Sequence, residues 1–502
     1  MKSDYSRDIF KQLEETMKRL DKMESTLENT KIEHKIEIGH LNDKIDFLEK
    51  ENAALKIENT RLKDDNERLR RIINNDSTNS SLPPSLDEKP IKAANEFNHR
   101  SKTKKKQGAQ KGHKGTTLTK EKVKEQIEKG AYDVKIKEIG KRSENYVTRY
   151  VLDLQTRPVA TEVRIYADEN GKYNIPKEYN SEVTYGDTIK ALSVLLYSEG
   201  VVANDRIAEI INAISNNSLN ISSGTVYSFC ASFSALSEES RKQIENNLLN
   251  SDVLYTDGTV VTENGKQAII RNVSNKQSVM YKALESKTIS AMKVSALWSN
   301  FLGIFVHDHE TGLYHFGTEH GECNVHLERY LMKNSEESEN SWSNDMKNFL
   351  SGINHAKKKR IEEGDTAFTK EQLDSYSKRY NEILKSGYEQ NKKTKGKYAK
   401  SEEKKLLNRL KKYKKNHLLF AYKFEVEYSN NMSERDLRKC KNREKMAGGF
   451  RTSKGREMFC NILSVIETLK RRKMNIIENI MRIFQKTQLF FSWVRGGYTT
   501  PS

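Results

Sequence analysis

The sequence predicts a mixed α+β chain: a long N-terminal coiled coil, a small mixed segment and a helical region, then a strand-rich core split by a helical insertion. Three observations predict it. A seven-residue register runs from Leu13 to Leu69 with leucine at every step except His34, and residues 253–308 read as strand, strand, strand, helix, strand. A basic, helix-patterned stretch then separates that run from a second acid-bearing segment around Glu434.

At 502 residues the chain exceeds the usual domain of about 100–200 residues, so several units are expected. Hydrophobic residues are 35% and charged residues 31%, with a mean hydropathy of −0.83, so part of the length must be solvated helix or linker. Lys and Arg number 88 against 70 Asp and Glu, and the resulting charge of +18 points to a polyanionic partner, nucleic acid first. Four scattered cysteines without a Cys-x-x-Cys pair exclude a disulfide framework and a cysteine-rich zinc finger. There is no signal-peptide core and no run near the ~18 apolar residues of a membrane span. A cytoplasmic protein without a membrane partner is expected.

Residues 1–74 form the expected dimerisation helix. One seam position holds Leu13, Leu20, Leu27, His34, Leu41, Leu48, Leu55, Leu62 and Leu69, and the other includes Asn52, Asn59 and Asn66. A buried Asn there is best satisfied by its own copy in a parallel two-stranded coil, so a homodimer is the preferred reading over a lone solvated helix. Residues 75–119 are a Ser-, Pro- and Gly-containing linker arm. Between His99 and Gly115, Arg100, Lys102, Lys104, Lys105, Lys106, Lys111 and Lys114 face no acid, which suits a segment that tracks DNA phosphates more than a solvated linker. Residues 120–186 alternate like a small antiparallel sheet, a further DNA-binding candidate, and residues 187–250 read as two helices, the second capped by Ser222 or Ser223.

The core is expected at 251–320 and 425–485. Strands are predicted over Val253–Asp257, Gln267–Val273, Ser278–Leu284 and Gly303–Asp308, with a helix over Ile289–Asn300 before the last. Three antiparallel strands, a crossover helix and a parallel strand resemble the ribonuclease H-like fold. Asp257 and Asp308 each close an apolar run and would project from neighbouring strands. Paired carboxylates so placed hold Mg²⁺ or Mn²⁺, and two such ions roughly 3.5–4 Å apart clamp the attacking and leaving oxygens of a phosphodiester. The third acid is sought in EYSNNMSERDLRKCKNREK, where Asn430, Asn431 and Ser433 read as caps and Glu434 opens a helix bearing Arg435 and Arg438. Glu434 is either a metal ligand with phosphate-binding neighbours or a first-turn acid favouring the helix dipole.

Five islands resemble the insertion-sequence-66 family of bacterial transposases: NSSLPPSLD at 79–87, GAQKGHKG at 108–115, LYTDGT at 254–259, HDHETGLYHFGTEHGECNVHLERYL at 307–331 and NNMSERDLRKCKNREKMAGGFRTSKG at 430–455. The resemblance implies an Asp-Asp-Glu triad of Asp257, Asp308 and Glu434, strand cutting and joining of DNA, element ends and target DNA as partners, and small accessory proteins. It also implies a bacterial, nucleoid-associated setting. Relatives usually carry zinc-binding cysteines after the GHKG motif. Residues 116–186 contain none, so zinc is not expected.

The insertion is expected over 321–424 and a tail over 486–502. Cys323 and His326 are read as steering the adjacent acid or the DNA, because the three Cys and His residues near them leave a structural zinc site one ligand short. Arg329 fits a phosphate contact or a surface ion pair. From Glu389 to Lys415, twelve Lys and Arg stand against three acids. Lys392, Lys393, Lys411 and Lys412 are therefore read as part of a DNA clamp rather than a merely solvated face. The Gly448-Gly449-Phe450-Arg451 loop either brings backbone to a phosphate, with Arg451 adding charge, or is a helix-connecting turn. The expected function is a two-metal DNA transposase. Its rivals are a non-catalytic DNA-binding protein and a nuclease of the same fold that cuts without joining.

Overall fold

The computed structural model of the protein describes residues 2–74, 119–131, 133–136, 148, 150–152, 158–338 and 340–487. Along the chain lie helices α1 (Lys2–Asn74), α2 (Lys120–Glu128), α3 (Asp187–Ser198), α4 (Asn204–Ile214), α5 (Ser223–Leu236) and α6 (Glu238–Leu249). Strands β1 (Val253–Glu263), β2 (Lys266–Ser274) and β3 (Val279–Leu284) follow, then α7 (Ile289–Lys293), α8 (Ala296–Asn300), β4 (Ile304–His307) and β5 (Glu319–Glu322). The remaining helices are α9 (Asn324–Ser338), α10 (Trp342–Glu362), α11 (Lys370–Lys393), α12 (Lys397–Lys412), α13 (Lys414–Tyr422), α14 (Asn431–Ala447), α15 (Ser453–Arg471) and α16 (Ile476–Phe484). The chain divides into two compact units, Met1–Glu88 with His320–Ser429, and Lys89–Glu319 with Asn430–Ser502.

The second unit is built on a mixed sheet in which β3, β2, β1 and β4 lie side by side in that order. Asn264 and Gly265, both at positive φ, make the two-residue turn between β1 and β2. Such a backbone matches the right-handed strand twist. β2 pairs antiparallel with β3, and β4 returns through α7 and α8 to lie parallel to β1, with Tyr255 opposite Val306. Edge strand β3 is closed by α15: the Tyr281 N–H donates to Ser464 Oγ (2.9 Å) and the Val279 N–H to Thr468 Oγ1 (3.1 Å). Edge amides so satisfied cannot template pairing with another chain.

Several expectations are corrected in this unit. Each helix expected over 187–250 is broken in two, the first at Val201, which has φ +52°, the second at Ser237. Ser222 is the cap of α5, accepting from Thr225 N–H. These helices share one apolar core with the sheet through Val226, Phe233 and Ile244 and are not a separate region. The single helix expected before β4 is also two, α7 and α8. The small sheet expected over 120–186 is not present among the described residues, which show α2 and one isolated bridge between Ala167 and Tyr173. The basic arm, residues 100–114, lies outside the described residues, as does most of the tail.

In the first unit α9–α13 build a helical core on Leu331, Trp342, Leu350, Tyr380 and Leu407. Buried Glu403 gathers donors there: Trp342 Nε1 (2.6 Å), Asn340 Nδ2 (2.7 Å), Asn391 Nδ2 (2.8 Å) and Thr394 Oγ1 (2.5 Å). A second buried acid, Glu322, accepts from Arg409 (2.8 Å) and meets His417 Nε2 (3.0 Å). The long helix α1 joins this unit where Asp65 Oδ1 accepts from the Tyr398 N–H (3.4 Å). The leucine register of α1 remains exposed, from Leu13 at 57% to Leu69 at 43%.

Candidate active site

The three acids named from the sequence all belong to the second unit. Asp257 sits in the middle of β1 and not at a strand end as expected, since β1 continues to Glu263. Asp308 follows the last residue of β4, and Glu434 lies in the first turn of α14. Burial and the neighbouring Asp308 charge push the Asp257 carboxyl up to about 7, with Glu434 adding to the push. The Gly258 N–H, 2.7 Å from Asp257 Oδ1, and the Arg271 guanidinium pull the other way and are outweighed. A carboxyl raised by burial, with neighbouring like charges adding to it, is the kind of environment in which functional acids are found.

Arg271 is fully buried, and its Nη2 is held by both oxygens of Glu310 (2.6 and 2.5 Å). It lies over Gly258, where an added Cβ would stand 3.0 Å from Nη2, so the glycine of LYTDGT makes room for the guanidinium. Arg271 is thus a cation beside Asp257 that already serves Glu310. Carboxylate oxygens such as those of Asp257, Asp308 and Glu434 are the hard donors that Mg²⁺ and Mn²⁺ take.

Sequence reasoning misread the start of α14. Asn430 makes no side-chain cap bond; its Nδ2 donates instead to the Thr256 carbonyl (2.9 Å). Ser433 Oγ donates to Asn272 Oδ1 (2.6 Å), which also accepts from the Asp257 N–H (3.1 Å). Asp436 accepts from Asn272 Nδ2 (3.0 Å) and from Arg471 Nη2 at 2.6 Å on each oxygen. The missed residues, Asn272, Asp436 and Arg471, left one local signal: a lone amide inside the apolar strand run AIIRNVS.

The glycine loop joins α14 to the end of β1. Gly448 ends α14 in the left-handed conformation, and a Cβ on Gly449 (φ +114°) would meet the Thr262 carbonyl at 2.5 Å. Phe450 bonds through its backbone to Thr262 and Asn264 (2.8 Å each), so the loop pins the end of β1. Arg435, Arg438 and Arg451 are exposed. In the first unit, Lys392, Lys393, Lys411 and Lys412 are exposed, with Lys392 paired to Glu389, while Arg329 is half-buried. Cys323 is buried and His326 half-buried in that same unit.

The family model for the IS66 transposase family matches residues 183–458. The chain belongs to the IS66 transposase family. A second model, for a family of unknown function (DUF6444), matches residues 24–119. No curated protein matches the chain. Family membership makes this a DNA-processing enzyme that binds DNA and requires a divalent metal. No described helix is long and apolar enough to cross a membrane.

Proposed function

We propose that this IS66-family transposase cuts its element ends and joins them to target DNA with a ribonuclease H-like core whose triad is Asp257, Asp308 and Glu434. The observation that carries the reading is the Asp257 carboxyl, raised to about 7 by burial and by the charges of Asp308 and Glu434. The sheet order and the parallel return of β4 beside β1 also match that fold. Two divalent cations held by the triad would activate the attacking oxygen and stabilise the leaving one.

The chain's own residues do the rest. Asp257 gives up its carboxyl proton when the site is loaded, and Arg271, fixed by Glu310, keeps a positive charge beside it. Exposed Arg435 and Arg438 flank Glu434 on α14 and suit phosphates of the bound strand. Lys392, Lys393, Lys411 and Lys412, with Arg329 and Arg451, would extend the contact, as would the basic arm from Arg100 to Lys114. The exposed leucine register and its three asparagines favour a parallel homodimer through α1, which would hold two ends together. Accessory proteins of the same element are further expected partners.

A strand-transfer assay with a pre-cut end and Mg²⁺ tests the reading. Joined product is expected. Cutting of an intact end with no joining from the pre-cut one would instead indicate a nuclease of the same fold.

A further inference from the structure

We propose that Asn272 is the positioning residue that sets the Glu434 helix against the Asp257 strand, so that the divalent-cation affinity of the three-acid centre depends on its side-chain amide. The inference rests on the reading of that centre given above. Asn272 is fully buried in β2, directly opposite Asp257 in the strand register. A buried amide in an apolar strand is costly unless its hydrogen bonds are made. Here all are made. Oδ1 accepts from the Asp257 N–H (3.1 Å) and Ser433 Oγ (2.6 Å), and Nδ2 donates to the Ser433 carbonyl (3.2 Å) and Asp436 Oδ2 (3.0 Å).

The groups it joins are the ones that matter for the acids. One is the backbone of Asp257 itself; another is Ser433, the residue before Glu434. Ser433 is fully buried, so its hydroxyl is committed to this contact and not to solvent. A second strut, Asn430 Nδ2 to the Thr256 carbonyl (2.9 Å), ties the same helix end to the residue before Asp257. Arg471 braces Asp436 from the far side. Two amide struts, one on each side of the Asp257 peptide, fix both the translation and the rotation of the first turn of α14. Carboxylates that share a cation must be held to within about 0.5 Å, which the backbone of an unbraced helix terminus does not guarantee.

The test uses the full-length chain and two readouts: Mn²⁺ binding by titration calorimetry without DNA, and the kinetics of end cutting. Asn272→Leu, close in volume but unable to bridge, is expected to weaken Mn²⁺ binding at least tenfold. It should also lower kcat at least a hundredfold, with KM for DNA within threefold of native. Ser433→Ala, which removes one hydroxyl, is expected to weaken Mn²⁺ binding several-fold at an unchanged unfolding temperature. The pair Asn272→Asp with Asp436→Asn exchanges donor and acceptor across one bond and should recover at least tenfold in Mn²⁺ affinity over Asn272→Asp alone. If Asn272→Leu does not fold, Ser433→Ala and the exchange pair decide. Native Mn²⁺ affinity in Ser433→Ala and in every folded Asn272 variant would overturn the proposal. Glu434→Gln is the control: native cutting and Mn²⁺ binding there would sink the three-acid reading itself. A dead control beside native-like Asn272 and Ser433 variants would sink this inference alone.

Discussion

Asp257→Asn is expected to abolish end cutting, by at least about a thousandfold, while DNA binding stays near native and the metal-free protein becomes more stable at pH 8. The last effect separates a functional acid from a structural one. In the fold the Asp257 carboxyl titrates at about 7, against 3.8 ordinarily. A raised folded value means that the stabilising contribution is fully present below the ordinary value and is lost as pH rises through about 7. At pH 8 the metal-free protein therefore carries a buried, mutually repelled charge. Replacing it by a neutral amide relieves on the order of 1–2 kcal/mol, well under the full shift because solvent and local relaxation share it. Added Mg²⁺ should raise the unfolding temperature of the native chain and leave that of the variant nearly unchanged. Cutting preserved in Asp257→Asn, or a variant less stable at pH 8 than the native chain, would count against the assignment.

The largest expected loss of stability is at Arg456. This side chain, 1% exposed, donates from Nε to Glu263 (2.6 Å), from Nη1 to the carbonyls of Ile269 (2.9 Å) and Leu284 (2.7 Å), and from Nη2 to Glu285 (2.9 Å). It thereby fastens α15 to β2 and to the ends of β1 and β3 at once. Glu285 is largely exposed and contributes little. The other three acceptors would be left without their donor by Arg456→Ala, a change that costs about 3–5 kcal/mol. Arg456→Lys should recover only a part, since one ammonium cannot reach four acceptors in the guanidinium's planar arrangement. Denaturant unfolding with hydrogen exchange on β1–β3 measures both, and a loss below about 1 kcal/mol for the alanine variant would show that the contacts are redundant.

Much of this was legible in the sequence because short-range pattern and burial coincide. The residues just before Asp257 and Asp308 are apolar because the sheet is covered there, and the acids stand out against that background. The helical insertion was legible from charge and length. What was not legible depends on partners far along the chain. Asn430 and Ser433 carry the chemistry of helix caps, yet both side chains reach across to β1 and β2, a choice made by tertiary packing that no local spacing encodes. In 120–186 the alternation is strand-like, yet among the described residues the pairing is limited to the bridge between Ala167 and Tyr173. The glycines of the GGF loop were visible, but their cause, the close approach of Gly449 to the Thr262 carbonyl, lies in β1.

The central claim is that Asp257, Asp308 and Glu434 jointly hold a divalent cation, and Mn²⁺ binding to the full-length chain without DNA measures it most directly. Because the Asp257 proton must leave, affinity should fall by up to tenfold for each pH unit below about 7 and level off above it. Asp257→Asn, Asp308→Asn and Glu434→Gln should each weaken binding at least tenfold at pH 8. Mn²⁺ affinity that is the same in all three variants and flat between pH 6 and pH 8 would contradict the account.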